Sequence, residues 1–340
     1  AVNTDKQALL LSKCKNKIQI GEKLTSGLGV GGDPAIGRRA AEESIDELAE
    51  IVDGANLIYI AAGLGGGTGT GAAPVIAELA RQKGILTVAV VTMPFSFEGS
   101  QRQNRAKEGH ATLMDVVDTI VTIPNDKLLQ VIGKGTSMLE AFRVADDVLR
   151  QGIQGITDLI VKPALVNLDF ADVRTVMMER GIAHMGIGVG YGDNKTMDAA
   201  KQAIQSPLLE TSIEGARGIL YNVTGDPTMS LLEIEEAANL IRQAAHPEAN
   251  IFFGADTDES LEDEVRITVI ATGFDSSGVR RPKPSMVEEK IRMSELPTED
   301  DFIPAVRPER KGPVLGSLTD TSNDLDIPPF LRRKRNKKEF

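Results

Sequence analysis

The chain has 340 residues and 41% hydrophobic content, enough to bury the cores of two domains. Its net charge of −11 and pI near 5.0 argue against a general nucleic-acid binder, because phosphate backbones reward clustered lysine and arginine. Cys14 is the only cysteine, which excludes an internal disulfide. The single cysteine, together with the lack of a long apolar run and of a signal-peptide pattern, predicts a cytosolic protein. The three histidines stand far apart, so no metal site is predicted.

Residues 1–180 alternate apolar runs with helical patterns. The runs at 57–62, 85–91 and 119–124 are almost continuously apolar. Such runs, with helices between them, predict buried strands of a parallel sheet that is covered on both faces. The first region is therefore predicted to be an α/β domain.

Residues 181–275 are predicted to form a second, smaller α/β domain. Predicted strands alternate here with two helical patterns. The predicted helices cover about 196–205 and 230–245. The predicted strands are 184–192, 217–225, 250–258 and 265–274.

The pattern stops near residue 276. Half of the chain's 16 prolines lie beyond this point, among charged residues and serine, which predicts a disordered linker over 276–322. Residues 323–340 differ again, because Asp326–Arg333 carries apolar anchors and six basic residues follow between 332 and 338. A basic tip on an acidic chain indicates a docking segment for an acidic surface or for membrane headgroups.

The stretch GGGTGTG at 65–71 directly follows the first predicted strand. Such a cluster indicates that a ligand approaches bare backbone N–H groups, and phosphate is the commonest such ligand. A P-loop would need lysine and Ser/Thr where Ala72 and Ala73 stand. A relaxed dinucleotide fingerprint fits, but no carboxylate stands near Thr92 to bind a ribose. Pro74 is expected in the first turn of the next helix, which would direct N–H groups at the ligand. A hinge or tight packing turn remains the alternative.

The stretch NLDFAD at 167–172 is the candidate for catalysis. Asp169 and Asp172 are three residues apart, so a helical turn would place both carboxylates on one face, with Asn167 just before them. An EF-hand is excluded because no glycine stands at its sixth position. Acidic residues that cap a helix start are the alternative interpretation.

Several motifs together resemble the FtsZ family, the bacterial tubulin-like cell-division GTPases. This resemblance covers essentially the whole chain and implies a tubulin-like fold: a GTP-binding domain over 1–180 with a connecting helix and a synergy loop, and a C-terminal domain over 181–275. The family's first strand and first glycine-rich loop precede the motif at 1–5, so we expect the chain to be a fragment. The motifs are AVNTD at 1–5, the glycines from Gly27 to Gly32, the loop at 61–75, PFSFEG at 94–99, IPND at 123–126, NLDFAD, and DIPPFLRR at 326–333.

The resemblance implies that both glycine loops bind the phosphates of GTP or GDP. Glu98 and Arg102 would hold the ribose and a phosphate, although the same spacing also suits an ordinary surface ion pair. Asn125 would reach the sugar. The other residues implied to bind GTP are Asn3, Asp5, Gly29, Gly31, Gly32, Gly66, Gly67, Thr68, Gly69 and Thr70.

For the base, the resemblance implies three residues of the following helix. Phe142 would stack on the ring system, or it is simply a core residue. Asp146 or Asp147 would accept hydrogen bonds from the N–H groups of guanine, because a carboxylate offers only acceptors.

The resemblance further implies head-to-tail filaments of this chain. Asn167, Asp169 and Asp172 of one subunit would enter the nucleotide site of the next and polarise the water that attacks the γ-phosphate, with Mg²⁺ bridging phosphate oxygens. Residues 326–333 would bind a membrane-tethering division adaptor at mid-cell, so that membrane contact is indirect. A nucleotide-binding scaffold without turnover stays an alternative. A dinucleotide oxidoreductase is disfavoured by the missing ribose carboxylate.

Overall fold

The structure of the chain is a computed structural model. Ala1–Ser277 form one compact unit. The predicted linker, the predicted docking segment and Asn167 lie outside the residues that the structure describes. Those residues are 1–131, 136–161, 166, 169–178, 180–206 and 213–274.

Strands and helices alternate along the chain as an α/β sequence. The strands are β1 (Val2–Asn3), β2 (Ile18–Gln19), β3 (Leu57–Gly63), β4 (Leu86–Met93), β5 (Thr119–Pro124), β6 (Gly181–Tyr191), β7 (Gly218–Gly225), β8 (Asn250–Thr257) and β9 (Glu264–Thr272). The helices are α1 (Lys6–Leu11), α2 (Glu22–Thr25), α3 (Pro34–Glu43), α4 (Ile45–Val52), α5 (Thr68–Gln82), α6 (Ser100–Met114), α7 (Asn125–Val131), α8 (Met138–Val161), α9 (Phe170–Met177), α10 (Lys195–Ile204) and α11 (Leu231–Ala244).

The main sheet has seven strands in the order β3-β4-β5-β6-β9-β7-β8. Pairing is parallel from β3 to β6 and between β7 and β8, while β9 runs antiparallel to both of its neighbours. β1 and β2 form a separate parallel pair. Every predicted strand is present with boundaries shifted by a few residues, so the predicted mostly parallel α/β fold is confirmed.

The strands of the first and second regions belong to one continuous sheet. The junction is short, because β5 and β6 pair only from Thr119 opposite Gly181 to Val121 opposite Ala183. The sequence had indicated two α/β regions, and it could not show that their strands would join. The division at residue 180 stays a prediction.

Helices cover both faces of the sheet. On one face, β4 and β5 pack with α8 and α9 through a buried cluster that includes Val90, Ile156 and Met177. On the other face, the same strands pack with α5 and α6 through residues such as Ala77 and Leu113. Since both faces are covered, strand β4 is apolar along most of its length, as predicted.

The two edges of the parallel strands are chemically different. The carboxyl ends of β3, β4 and β5 lead into the glycine stretch, the 94–99 turn and Asn125, respectively. At the amino edge, the end of α9 meets the start of β5, because the Thr119 hydroxyl donates to the carbonyl of Met177 and the N–H of Arg180 donates to that of Asp118 (3.0 Å). None of the helices in the described parts of the chain is long and apolar enough to cross a membrane.

Candidate functional site

The glycine stretch after β3 forms a loop that runs directly into α5. The helix begins at Thr68, inside the stretch, and its first internal hydrogen bond runs from the N–H of Gly71 to the carbonyl of Gly67 (3.0 Å). The expectation that Pro74 lies in the first turn is therefore wrong, because Pro74 falls inside the helix. The residues that open the helix are Thr68, Gly69 and Thr70.

This loop contains a series of backbone N–H groups, most of which have no hydrogen-bond acceptor among the described residues. The N–H of Gly65 donates to the Thr70 hydroxyl (2.9 Å). For the N–H groups of Gly66 to Thr70, the described residues supply no acceptor. The start of a helix leaves such donors free and concentrates positive potential there. The loop is therefore suited to bind an anion, and phosphate in particular.

The second glycine loop, Gly29–Gly32, lies directly against the first. Gly29, Gly31 and Gly32 have positive φ values of 83°, 59° and 79°, which favour glycine. A Cβ on Gly67 would lie 2.2 Å from Cγ2 of Val30 and 2.9 Å from the backbone nitrogen of Asp33, so only glycine permits this approach. The described residues likewise offer no acceptor to the N–H groups of Val30, Gly31 and Gly32. The two loops together form what we call the donor cradle.

The segment at 3–5 closes one side of the donor cradle. The hydroxyls of Thr4 and Thr68 are 2.7 Å apart, and Thr4 is buried. Asp5 caps α1 by accepting from the N–H groups of Gln7 (2.8 Å) and Ala8 (3.1 Å). The side-chain oxygen of Asn3 accepts from the N–H of Asp5 (3.2 Å). Of these residues, sequence reasoning had missed Thr4, since a single threonine after a short strand carries no distinctive signal.

Glu98 and Arg102 stand beside the glycine stretch and bind each other. Nε of Arg102 lies 3.0 Å from Oε2 of Glu98, while Oε1 of Glu98 accepts from the N–H of Phe95 (2.8 Å). A Cβ on Gly65 would lie 2.6 Å from the carbonyl oxygen of Arg102. The ion pair that was the alternative interpretation is therefore present, and it lies next to the donor cradle.

Asn125 is the first residue after β5 and is only 5% exposed. Its Oδ1 has no hydrogen-bond partner among the described residues. A buried acceptor without a donor is rare, and an ordered water or a bound ligand would satisfy it. A sugar hydroxyl would supply the donor, so the geometry fits the role that the sequence implied.

Phe142 meets two aromatic rings of the turn that follows β4. Phe95 and Phe97 are stacked with ring centroids 5.0 Å apart, and Phe142 packs edge-on against them at 5.3 and 6.4 Å. Phe142 is still 36% exposed, so it is not a plain core residue and retains surface that a base could cover. The aromatic cluster is connected to the donor cradle, because the N–H of Phe95 donates to Glu98, which binds Arg102 beside the glycine stretch.

The two candidate aspartates of α8 lie in different surroundings. Asp146 is four residues after Phe142 and therefore lies on the same helix face. Asp147 accepts from Nη2 of Arg150 (2.7 Å) and Nε2 of Gln151 (2.5 Å), and the hydrogen bond from Arg150 lowers the pKa of Asp147. Of the two, the geometry favours Asp146 as the base-recognising residue.

Asp169 and Asp172 lie at the start of α9, away from the donor cradle. Asp169 caps the helix by accepting from the N–H of Ala171 (3.4 Å), and Asp172 stands in the first turn. The helix ends at the amino edge of β5, whereas the donor cradle follows the carboxyl end of β3. The structure records no hydrogen bond or ion pair from either carboxylate to the donor cradle in the described parts of the chain. The capping interpretation therefore holds for Asp169, and one copy of the chain does not bring the two groups of residues together.

Sequence reasoning also missed Arg105 of α6. A Cβ on Gly32 would lie 3.4 Å from its Nη1, so the guanidinium reaches the Gly29–Gly32 loop. The signal was present in the sequence, because Arg105 is three residues after Arg102 and lies on the same side of the helix.

Two family comparisons match separate parts of the chain. Residues 1–133 match the Tubulin/FtsZ family, GTPase domain. Residues 181–275 match the FtsZ family, C-terminal domain. The first match contains the donor cradle, Glu98, Arg102 and Asn125.

Solved structures with the same fold cover most of the chain. An empty FtsZ dimer of M. jannaschii is 41% identical with a TM-score of 0.79, and the match covers 84% of this chain and 86% of that one. A point mutant of M. jannaschii FtsZ is 44% identical at the same TM-score, covering 81% and 83%. CetZ1 from Haloferax volcanii, a GDP-bound monomer, shares the fold at 23% identity and a TM-score of 0.68, covering 82% and 85%. The chain therefore belongs to the FtsZ family of tubulin-like GTPases, and the donor cradle lies in its GTPase domain.

Proposed function

We propose that the protein binds GTP in the donor cradle and hydrolyses it at the junction between copies arranged head to tail. One observation carries this proposal: within the described parts of the chain, neither candidate catalytic carboxylate makes a hydrogen bond or ion pair to the anion-binding donors. A head-to-tail arrangement would bring the start of α9 of one copy to the donor cradle of the next. The M. jannaschii FtsZ of 41% identity is a dimer in its solved structure, which supports self-association.

In this proposal the nucleotide lies along the carboxyl edge of the sheet. The backbone N–H groups of both glycine loops would hold the phosphates. The unpaired Oδ1 of Asn125 would accept from a ribose hydroxyl, and the Glu98–Arg102 pair would contact the ribose and a phosphate. Phe142 would cover the base, with Asp146 accepting from guanine's N–H groups. Adenine lacks that adjacent pair of donors, which would exclude ATP.

Catalysis would come from the neighbouring copy. Asp169 and Asp172, with Asn167 beyond the described residues, would orient and polarise the attacking water. The acidic side chains nearest the donor cradle are already engaged: Asp5 and Asp33 cap helices, and Glu98 binds Arg102. Each copy would thus bind nucleotide while lacking its own general base.

Mg²⁺ suits this arrangement, because it is usually held by phosphate oxygens and water with few protein carboxylates. Among the described residues, no group of three or more His, Cys, Asp or Glu side chains could hold a metal ion alone. The phosphates bound by Gly66–Thr70 would hold the ion. It would neutralise the charge that develops on the transferred phosphoryl group.

We further propose a place for this activity in the cell. The filaments would assemble in the cytoplasm at the mid-cell division ring. Residues 326–333 would dock onto a membrane-tethering adaptor, and the basic residues that follow would add salt-sensitive attraction.

The experiment is a measurement of GTP turnover against protein concentration. We expect specific activity to rise steeply above a threshold concentration, with filaments sedimenting above the same threshold. Specific activity that is constant from the lowest dilution would contradict a site shared between copies.

A second candidate is a filament scaffold that binds GTP without turnover. It is favoured by one observation, that the Asp169 carboxylate already caps α9. Sedimentation of filaments with GTP, without release of phosphate, would support this candidate over hydrolysis.

A further inference from the structure

Arg105 occupies the boundary between α6 and the donor cradle. It lies next to Ala106, whose Cβ would be 3.4 Å from a Cβ on Gly65. Its Nη1 would be at the same distance from a Cβ on Gly32. The side chain is half-buried. Arg105 therefore extends from the helix beneath one glycine loop to the surface of the other.

The charge of Arg105 is not neutralised within the described parts of the chain. No hydrogen bond or ion pair is recorded for its guanidinium there, although Arg102, one turn earlier, is paired with Glu98 at 3.0 Å. The half-buried position costs solvation, so a charge held there without a partner favours an anionic ligand. Arginine is suited to phosphate because its planar guanidinium donates two parallel hydrogen bonds.

A series of contacts connects Phe142 with the two glycine loops and Arg105. Phe142 contacts Phe95, whose N–H binds Glu98, and Glu98 binds Arg102, which packs on Gly65. Gly67 then packs on Val30 and Asp33 of the second loop, and that loop's Gly32 meets Arg105. Arg105 lies one turn farther along α6 than Arg102 does, and it is therefore farther from the Phe95–Phe142 contact. The phosphate farthest from the base would be the one to reach it.

We propose that Arg105 binds the terminal phosphate of the guanine nucleotide and makes the donor cradle favour the triphosphate over the diphosphate. This inference rests on the proposed function, because it takes the donor cradle to be the phosphate site. Arg102 would serve the inner part of the nucleotide together with Glu98. Arg105 supplies the cation that the terminal phosphate requires, and it comes from the same copy that binds the base.

The test is a titration of GTPγS and of GDP into the wild-type protein and its Arg105→Ala, Arg105→Lys and Lys107→Ala variants. Losing a charge-assisted hydrogen bond should weaken GTPγS binding roughly 10- to 100-fold. GDP affinity should stay within about threefold, since GDP lacks the group that Arg105 binds. Arg105→Lys should lie between the wild type and Arg105→Ala, because it keeps the charge without the planar fork. Lys107→Ala removes the same charge from an exposed site on the same helix and should change neither affinity.

The possible results distinguish the role of Arg105 from the proposed GTP-binding function. GTPγS affinity unchanged in Arg105→Ala, with wild-type binding of both nucleotides, would overturn the role of Arg105 alone. Equal losses for GTPγS and GDP would overturn its assignment to the terminal phosphate. Failure of the wild type to bind either nucleotide would overturn the proposed function itself. Arg105→Lys provides a folded comparison if the alanine variant unfolds.

Discussion

The donor cradle and the start of α9 differ in what they offer a reaction. Within the described parts of the chain, the donor cradle has backbone donors without acceptors at Gly66–Thr70 and the unpaired guanidinium of Arg105, but its nearby carboxylates are engaged. The start of α9 has Asp169 and Asp172 but no glycine loop. One region can hold charge, and the other can polarise water. The difference indicates that binding and chemistry should respond to mutation separately.

The largest expected effect is on chemistry. Replacing Asp172 by Ala should lower GTP turnover by ~100-fold or more, the lower range for losing a positioned polar catalytic group. Asp169→Ala should do the same and should also weaken α9, because Asp169 is its cap. Turnover and GTPγS affinity are measured on the same samples, and affinity should be unchanged. Glu50→Ala, an exposed acidic site elsewhere, is the control.

Equal losses of affinity and turnover in Asp172→Ala would contradict the separation of nucleotide binding from catalysis. They would mean that the carboxylate acts in its own copy's nucleotide site.

The next largest effects are expected at Gly66 and Gly67, where substitution by Ala should have different consequences. Gly67→Ala should lower the free energy of unfolding by about 1–3 kcal/mol, since its Cβ collides with Val30 and Asp33. No atom lies within 4 Å of a Cβ on Gly66, so Gly66→Ala should unfold like the wild type. The methyl group would occupy the space proposed for phosphate, so this variant should still lose GTPγS affinity. Denaturant unfolding and ligand titration measure the two quantities.

If Gly66→Ala bound GTPγS as well as the wild type does, the phosphate would not lie over that residue. If Gly67→Ala were as stable as the wild type, the two loops would not pack as closely as described.

A smaller effect distinguishes the two aspartates of α8. Asp146→Ala should weaken GTP binding by roughly 1–2 kcal/mol, because guanine's donors would lose their acceptor. Asp147→Ala should have little effect, since its carboxylate is bound by Arg150 and Gln151. Competition with ATP checks base selectivity, and ATP should compete poorly in every variant. The reverse ranking of the two variants would place Asp147 at the base instead.

The smallest effect on either region is expected from the C-terminal end. Deleting residues 324–340 should leave GTP turnover and filament formation unchanged, because neither the donor cradle nor α9 is touched. The same deletion should abolish binding of the membrane-tethering adaptor in a pull-down experiment. Loss of polymerisation, or retained adaptor binding, would show that this segment is not a separable docking peptide.

Sequence patterns predicted the elements of the fold better than the relations between them. The apolar run at 85–91 predicted a buried strand, because a strand covered on both faces needs apolar residues throughout. The junction between β5 and β6 could not be predicted, since it depends on a few backbone pairs rather than on side-chain pattern. The start of α5 was misplaced for a similar reason, because Pro74 is tolerated inside the helix.

Sequence patterns also predicted the residues of the site better than the contacts between them. The glycine stretch predicted an anion-binding loop, because its composition follows from the close approach it permits. Spacing alone could not separate Asp146 from Asp147, since the choice depends on Arg150 and Gln151 at the surface of α8. Arg105 was missed because its significance comes from Gly32, which is distant in the chain.

The most direct test of the shared site is a mixing experiment with two inactive variants. Asp172→Ala keeps the donor cradle but lacks a catalytic carboxylate, and Gly66→Ala keeps the carboxylates but has an obstructed donor cradle. In an equimolar mixture, about a quarter of random head-to-tail junctions would join two intact halves. We predict that the mixture recovers up to about that fraction of wild-type turnover, while each variant alone stays inactive. A mixture that forms filaments containing both variants and yet releases no phosphate would contradict the account.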